Sequence, residues 1–307
     1  MSVVGAIRSP LTANPIDRAG SCPRPSLWLR LRRDPLTLLA LLTLLTLGAL
    51  AASADLLAAA LFQQGLSQQD LLRTYAKPGL DTPSLWLGAD ELGRSQVVRL
   101  LYGARVSLGV AFSAAAVNIT IGLALGLAAG YFRGWFDDLV QWAISTLESV
   151  PRLFLLLLVA TLLGPDPLTL VLILGVLSWP RITLFVRGQT LSLREREFVL
   201  AARAQGASNI GLLARHILPN VLPLVFVLSA IDVGNIVLAE SSLSFLGLGI
   251  QPPIPSWGNM LTSAALAYTR GPWLVLAPGA AIFATVLSLY LLGDGLRDAL
   301  DPRLRTE

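Results

Sequence analysis

The stretch EFVLAARAQGASNIGLLARHILP, residues 197–219, is the most informative part of the chain. Its first half predicts a short helix with three small side chains, at Ala201, Ala202 and Ala204. Gly206 ends that helix, and Ser208 or Asn209 can cap the helix that follows. A short helix with a small-residue face can insert closely into a groove on another protein, whereas the alternative is an amphipathic connector on a membrane surface. The residues of this stretch alone leave both interpretations open.

The composition around this stretch indicates a membrane protein. Hydrophobic residues make up 54% of the 307 residues and charged residues 14%, whereas soluble domains carry about 25% charged residues. The mean hydropathy of +0.67 agrees with this. A chain this apolar cannot cover a water-facing surface, so most of its helices must face lipid or one another. We therefore predict an all-α integral membrane protein.

Six apolar runs are long enough to cross a bilayer, which requires about 20 residues. They cover 35 to about 62, 101–131, 139–163, 168–186, 219–239 and 273–292. The sequence thus predicts six transmembrane helices, with a polar helical stretch between the fourth and fifth spans and a Gly/Pro-rich loop at 241–272.

The polar residues before the first span form a predicted N-terminal tail. A signal peptide is the competing interpretation for the first apolar run, because Ala52-Ser53-Ala54 resembles a cleavage site. The long leading tail and the extended apolar run favour an uncleaved anchor. The predicted organisation is a cytoplasmic tail at 1–34, the first helix and an extracytoplasmic segment at 35–100, a five-helix core at 101–298 and a cytoplasmic tail at 299–307.

The distribution of basic residues predicts the orientation of the chain. With the N-terminus inside, the outer side has only Arg73, Lys77, Arg94, Arg99, Arg105 and Arg270. Arg152 lies within a span, and the remaining sixteen of the 23 basic residues face the inner side. Because loops rich in Arg and Lys stay in the cytoplasm, both termini are predicted to be cytoplasmic. The net charge of +4 is thus explained by topology, and no nucleic acid partner is expected.

Three residue types are so rare that they exclude whole classes of site. Lys77 is the only lysine and no Gly-rich phosphate loop precedes it, so the chain does not hydrolyse ATP by a Walker A site. His216 is the only histidine, which excludes HExxH zinc sites and histidine triads within the chain. Cys22 is the only cysteine, so no internal disulfide is possible. No catalytic residue, bound metal or cofactor is expected in this chain.

The stretch at 197–219 resembles the EAA loop of type I ATP-binding-cassette (ABC) importer permeases. The family pattern of Glu-Ala-Ala, then Gly, then Leu-Pro falls on Leu200, Ala201, Ala202, Gly206, Leu218 and Pro219. Leu200 stands where the family usually has Glu, and Glu195 or Glu197 is the neighbouring acid that could replace it. In this family the small helix docks in a cleft of a cytoplasmic ATPase and transmits its closure. His216 borders the loop and is interpreted as a packing or hydrogen-bonding residue.

The resemblance extends from about residue 36 to the C-terminus, in order and at family spacing. The segments WLGADELGR (86–94), LYGARVSLG (101–109), SWP (178–180), VRGQ (186–189), ESSLSFLGLG (240–249), PP (252–253) and GDGLRDALDP (293–302) are similar to the C-type permease of dipeptide, oligopeptide and nickel importers.

This resemblance implies the type I ABC importer permease fold and a transport function. The chain would form the translocation pathway for di- or oligopeptides with a homologous B-type permease in the lipid bilayer of a bacterial inner membrane. Two cytoplasmic ABC ATPase subunits, which bind ATP and Mg, and an extracytoplasmic binding protein would complete the importer. Nickel or metal-chelate import is the alternative within the family. A membrane enzyme would need a catalytic constellation, and an independent secondary transporter would not explain the EAA loop.

Two sets of residues within the spans are candidates for packing or pathway roles. Gly122, Gly126 and Gly130 form two overlapping GxxxG steps, which favour close approach of helix backbones, although Gly is also common in membrane helices. Four charges lie within spans: Glu148, Arg152, Asp232 and Glu240. Such charges mark a pathway or a pair. Glu148 and Arg152 lie four residues apart on either side of Pro151. They could line a pathway or form a self-neutralising pair that snorkels or packs against the partner subunit, and the pair is slightly favoured. Asp232 and Glu240 could meet a substrate amine or cap a neighbouring helix.

Overall fold

The computed structural model describes residues 34–300, apart from the side chain of Leu266. The predicted tail up to residue 33, including Cys22, and the predicted tail from residue 301 onward lie outside the described residues. Within residues 34–300 the ordered secondary structure is helical, and the only β-type pairing is an isolated bridge between Ala89 and Ser95. The all-α prediction is confirmed.

Twelve α-helices follow one another along the described residues. They are α1 (Pro35–Ala52), α2 (Ala54–Leu57), α3 (Gln96–Phe132), α4 (Trp135–Glu148), α5 (Arg152–Leu163), α6 (Pro167–Val176), α7 (Trp179–Leu193), α8 (Glu197–Ala204), α9 (Asn209–Leu212), α10 (Leu218–Phe245), α11 (Trp257–Leu266) and α12 (Trp273–Leu300). Turns of π-helix cover Ala58–Phe62 and Leu213–Ile217, and 3₁₀ turns cover Leu71–Arg73 and Pro83–Leu85.

Local sequence explains where the apolar helices begin. Asp34 accepts hydrogen bonds from the first two free N–H groups of α1, and Pro35 occupies the position where an N–H would have no partner. Asp166 and Pro167 repeat this arrangement at α6. Ser95 caps α3 with its hydroxyl oxygen. These caps satisfy backbone groups that lipid would leave without partners.

Five helical stretches are long and apolar enough to cross a membrane: Pro35–Ala52, Gln96–Phe132, Pro167–Leu193, Asn209–Phe245 and Trp273–Leu300. The remaining predicted span, the third at 139–163, is a bent pair of helices, because α4 and α5 meet at an angle of 88°. The described residues thus contain five candidate spans, or six if the bent pair crosses the membrane as one span. Pro151 lacks an N–H and keeps the residue before it out of the helical conformation, so the helix ends before it and restarts after it.

The loop predicted at 241–272 is also more structured than its Gly and Pro content indicated. The preceding helix α10 continues to Phe245, and α11 lies within the supposed loop. The start of α11 is fixed by a capping box in which Ser256 and Asn259 exchange hydrogen bonds with each other's backbone. The Trp257 side chain is fully buried and donates its ring N–H to the carbonyl of Leu100, so α11 is anchored on α3.

The long helix α3 lies at the centre of the packing. It contacts α6, α7, α10 and α1, while α12 packs against α10 and α1. Gly122, Gly126 and Gly130, which form the predicted GxxxG steps, line the contact between α3 and α7, and this contact is called the glycine seam. A Cβ atom on Gly122, Gly126 or Gly130 would lie 2.6–2.7 Å from a Cβ atom of α7, which is closer than side chains tolerate. The three glycines therefore allow α3 and α7 to pack backbone against backbone.

Candidate functional site

The short helix α8 forms the first half of the EAA-like loop and ends in a Schellman motif. The Gly206 N–H donates to the carbonyl of Arg203 at 3.0 Å, and the Ala207 N–H donates to the carbonyl of Ala202 at 3.1 Å. Gly206 has a φ of +85°, which residues with a Cβ rarely adopt. No atom would lie within 4 Å of a Cβ at Gly206. The requirement for glycine there is thus one of backbone conformation rather than of space within this chain.

The helix α8 presents one face to the outside and one to the protein. Leu200 is 47% exposed, and Ala201 and Ala204 are also exposed. On the opposite face Val199 is fully buried, and Ala202 is half-buried against the same hydrophobic cluster. Ala202 therefore does not lie on the exposed small-residue face on which the sequence analysis placed it. The exposed face is formed by Leu200, Ala201 and Ala204, at spacings of one and four residues.

The inner face of the loop is held by a compact hydrophobic cluster. Val199, Leu212 and Ile217 are fully buried in it, together with Ile182 and Val186 of α7. Ser208 caps α9 by accepting from the Gly211 N–H at 3.2 Å, which confirms one of the two predicted caps. Leu218 is half-buried and Pro219 lies in the first turn of α10, where a missing N–H is tolerated. The loop is thus packed rigidly onto α7 and the start of α10.

A tyrosine that the sequence analysis did not single out provides the polar anchor of the loop. The Tyr131 hydroxyl, near the end of α3, donates to Asn209 Oδ1 at 2.7 Å. Arg194 Nη1 donates to the Tyr131 carbonyl at 2.7 Å, and the Arg203 guanidinium lies 5.8 Å from the Tyr131 ring centroid. Tyr131 therefore links the central helix to the end of α7, to α8 and to α9. No local pattern marked it, because its partners lie more than 60 positions away in sequence.

A second contact fixes α7 immediately before the loop. The Arg187 guanidinium binds both carboxylate oxygens of Asp137 in α4, at 2.5 and 2.6 Å. Such bidentate pairs restrict orientation as well as distance. Of the two acids considered as replacements for the family Glu, Glu195 lies 3.9 Å from Arg133, whereas Glu197 is exposed in the first turn of α8. Both acids are thus exposed, and of the two only Glu195 has an ion-pair partner among the described residues.

The predicted intramembrane charges divide into two groups. Asp232 in α10 is buried, and its Oδ1 lies 3.3 Å from Arg181 Nη1 of α7. The Asn118 side-chain amide of α3 donates to the other oxygen of Asp232 at 3.2 Å. Glu240 is fully enclosed, with 0% exposure, and accepts from the Ser244 hydroxyl at 2.8 Å. Since Ser244 also accepts from the N–H of Ile250, Glu240 anchors the turn after α10 and does not face a pathway in this structure.

The expected pairing of Glu148 with Arg152 is wrong. The two residues lie on opposite sides of the break between α4 and α5, so the four-residue spacing no longer stacks them on one helix face. Arg152 Nη2 instead donates to the Ser178 hydroxyl at 2.6 Å. Both residues line a cavity of about 250 Å³, together with Ser178 and Arg181.

Comparison of the sequence with known proteins identifies a family that this chain matches. Residues 122–306 match the model of a family described as the binding-protein-dependent transport system inner membrane component. That range covers more than half of the chain and includes the EAA-like loop, the glycine seam and all four intramembrane charges.

Individual relatives cover most of the chain. A putative peptide permease protein of Brucella ovis is 40% identical over 220 residues, which is 71% of this chain and 73% of the relative. The dipeptide transport system permease protein of Alkalihalophilus pseudofirmus is 35% identical over 249 residues, 80% and 82% of the two chains. The glutathione transport system permease protein of an Escherichia coli strain is 37% identical over 286 residues, 92% and 91% of the two chains.

Proposed function

This chain belongs to the binding-protein-dependent transport system inner membrane component family, and from that premise we propose that it is the peptide-importing permease subunit of an ABC transporter. It is a multi-pass inner membrane protein, and the relatives are named for transport of peptides, a dipeptide and glutathione. Those names favour a peptide-like substrate over the nickel alternative.

The partner subunits follow from the family and from what this chain lacks. A homologous B-type permease would complete the pathway, and an extracytoplasmic binding protein would deliver the substrate. The chain has no Walker A lysine, so two separate cytoplasmic ABC ATPases, loaded with ATP and Mg, would supply the free energy. The chain itself would carry no catalytic residue or cofactor, and both termini would lie in the cytoplasm.

The observation that carries the proposal is the exposed face of α8. Leu200, Ala201 and Ala204 form a small, mostly apolar surface on a helix whose other face is locked to the transmembrane helices. A helix held in this way can enter a cleft on another protein and pass a displacement to the spans without deforming. Closure of the ATPases would move α8, and the packed cluster beneath it would move α7 and α10.

The transport cycle would be alternating access. The ATPases favour one conformation of the permease pair when closed around ATP and the other when open, so ATP turnover shifts the equilibrium between outward- and inward-facing states. Because α8 is the connection to the ATPases, it would be the only route for their free energy into this subunit. No bond of the substrate would be made or broken.

Co-purification of the ATPases with this permease, together with ATP turnover rates, tests the docking role. Ala201→Asp places a charge on the exposed face, whereas Ala201→Ser keeps the face small and serves as its control. Gly206→Val disfavours the positive φ by about 1 kcal/mol or more, whereas Gly206→Asn keeps a residue that tolerates it. We expect Ala201→Asp and Gly206→Val to lose substrate-stimulated turnover and uptake while all spans remain inserted.

Retention of full assembly and coupling by both variants would refute the docking role. The stretch 197–219 would then be a surface connector, and the ATPases would have to bind elsewhere. Loss of coupling in the two control variants as well would show that any substitution disturbs the loop, which would also contradict the assignment of the exposed face.

A further inference from the structure

A group of charges lies deep within the membrane-spanning part of the chain. Arg181, which the orientation prediction counted on the inner side, lies near the middle of the helical stretch Pro167–Leu193, and its partner Asp232 lies near the middle of α10. Arg152 begins α5 at the break in the bent span. The helix break thus brings a second arginine to the cavity that Arg181 lines. No local pattern in the sequence joins these two arginines, since 29 positions separate them.

The environment of these charges indicates contact with water or with another protein surface. The Arg181 side chain is 53% exposed, and Arg152 and Glu148 are exposed as well. Charged side chains at this depth are costly in hydrocarbon and are found facing a cavity or the interior of a bundle. The face that carries the cavity therefore does not face lipid, and it is the face expected to border the translocation pathway.

The contacts of the two arginines leave most of their hydrogen-bonding capacity unused. A guanidinium has five N–H donors. Arg181 directs one nitrogen to Asp232, and Arg152 directs one nitrogen to the uncharged Ser178 hydroxyl. In residues 34–300 Arg152 has no acid within ion-pair distance. Glu148 also lines the cavity but is not within ion-pair distance of Arg152. The cavity thus holds one cation without a contacting counter-ion, Arg152, beside a second cation, Arg181, that is neutralised on one side only.

We infer that Arg152 and Arg181 form a subsite for the C-terminal carboxylate of a peptide in transit. Arginine binds carboxylates through two parallel hydrogen bonds, which gives orientation as well as attraction. Asp232 and Asn118 act as positioning residues, because they hold Arg181 at the cavity without reaching its open side. The inference rests on the proposed peptide import and names the part of the substrate that this chain recognises.

The size of the cavity fits one end of a peptide. Small-molecule sites usually enclose about 300–1,000 Å³, and this cavity of about 250 Å³ lies just below that range. It therefore accommodates the terminal carboxylate with its own residue, while the rest of the peptide extends into the pathway. Side chains further along the peptide would contact this subsite little, which suits an importer of varied peptides.

The test compares peptides that have a free C-terminal carboxylate with peptides whose C-terminus is an uncharged amide. The complete transporter is reconstituted in proteoliposomes with its binding protein at saturating concentration, and uptake of tri-alanine and tri-leucine is measured beside their C-terminal amides. For each permease variant, uptake of the free acid is divided by uptake of the amide, and this ratio is divided by that of the wild type. The same binding protein is used throughout, so its own preference for acid or amide cancels. The variants are Arg152→Gln, Arg181→Gln and Arg152→Lys. Arg105→Gln, outside the cavity, is the matched control.

The expected result is a fall in the acid-to-amide uptake ratio of about tenfold in Arg152→Gln and Arg181→Gln, a factor that corresponds to ~1.4 kcal/mol. Arg152→Lys should keep a large part of the preference, and Arg105→Gln should leave the ratio unchanged.

Equal loss of acid and amide uptake, or no loss, in both glutamine variants would overturn the subsite and assign the arginines to packing or to the partner permease. A glutamine variant that fails to assemble is replaced by the matching methionine variant, Arg152→Met or Arg181→Met, which also removes the charge and is judged by the same acid-to-amide ratio. Failure of the wild type to import any of the four peptides would instead refute peptide import itself.

Discussion

Replacing Gly126 with alanine places a methyl group in the closest part of the seam between α3 and α7. The new Cβ would lie 2.6 Å from Val186 Cβ and 2.8 Å from the carbonyl oxygen of Thr183. The carbonyl belongs to the helix backbone and cannot rotate away, so the two helices must separate by about 1 Å to restore van der Waals distances. Overpacking of this kind destabilises a protein by about 1–3 kcal/mol.

Alanine has a higher helix propensity than glycine, which stabilises the variant and opposes the packing cost. This contribution has to be subtracted from the measured change in stability. A Gly→Ala change in a helix interior favours the helix by about 1 kcal/mol. Gly48 in α1 supplies the control, because a Cβ there would have no atom within 4 Å. Gly48→Ala should therefore be neutral or stabilising, and the difference between the two sites measures the packing cost. We expect that difference to be about 1–3 kcal/mol, with Gly126→Ala the less stable.

The measurement is reversible unfolding of each variant in mixed micelles, titrated with a denaturing detergent. A double-mutant cycle with Val186→Gly removes the opposing Cβ and should recover part of the loss, with a coupling energy of about 0.5–3 kcal/mol. Recovery should be incomplete because the Thr183 carbonyl remains 2.8 Å away. Equal stability changes at Gly126 and Gly48, or zero coupling to Val186, would refute the conclusion that glycine is required here for close packing.

Three further predictions concern orientation and ion pairs. Reporter fusions after Leu212 should read cytoplasmic and fusions near Ile254 extracytoplasmic; an inverted result would remove the ATPase-docking argument. The double-mutant cycle that neutralises Glu148 and Arg152 should give a coupling energy of about 0.5 kcal/mol, near the lower end of the range for neighbouring residues, because they share a cavity without forming an ion pair; a coupling energy of about 2–3 kcal/mol would contradict the separation of the two side chains. Arg187→Lys should destabilise the chain by about 1–3 kcal/mol because lysine cannot form the bidentate pair with the α4 carboxylate, whereas a thermal unfolding midpoint equal to that of the wild type would show that one charged contact suffices.

Local sequence determined the class of the protein and the ends of many of its elements. The share of apolar residues requires a membrane environment whatever the arrangement of the spans, and Asp34, Asp166 and Ser208 cap the helices that they precede. Gly206 ends α8 with a positive φ because that conformation depends mainly on the residue itself. These features depend on a few consecutive residues, so they can be recognised without knowledge of the fold.

Only the tertiary structure decided which side chains meet. The 88° bend at Pro151 separates Glu148 from Arg152 and brings Arg152 to the cavity lined by Arg181. Whether Ala202 of α8 faces inward depends on the position of α7 and α10 beneath it. The physical reason is that a periodic pattern identifies an apolar face but not the helix that will cover it, and a proline identifies a break but not its direction. Contacts between distant spans arise from packing all helices at once.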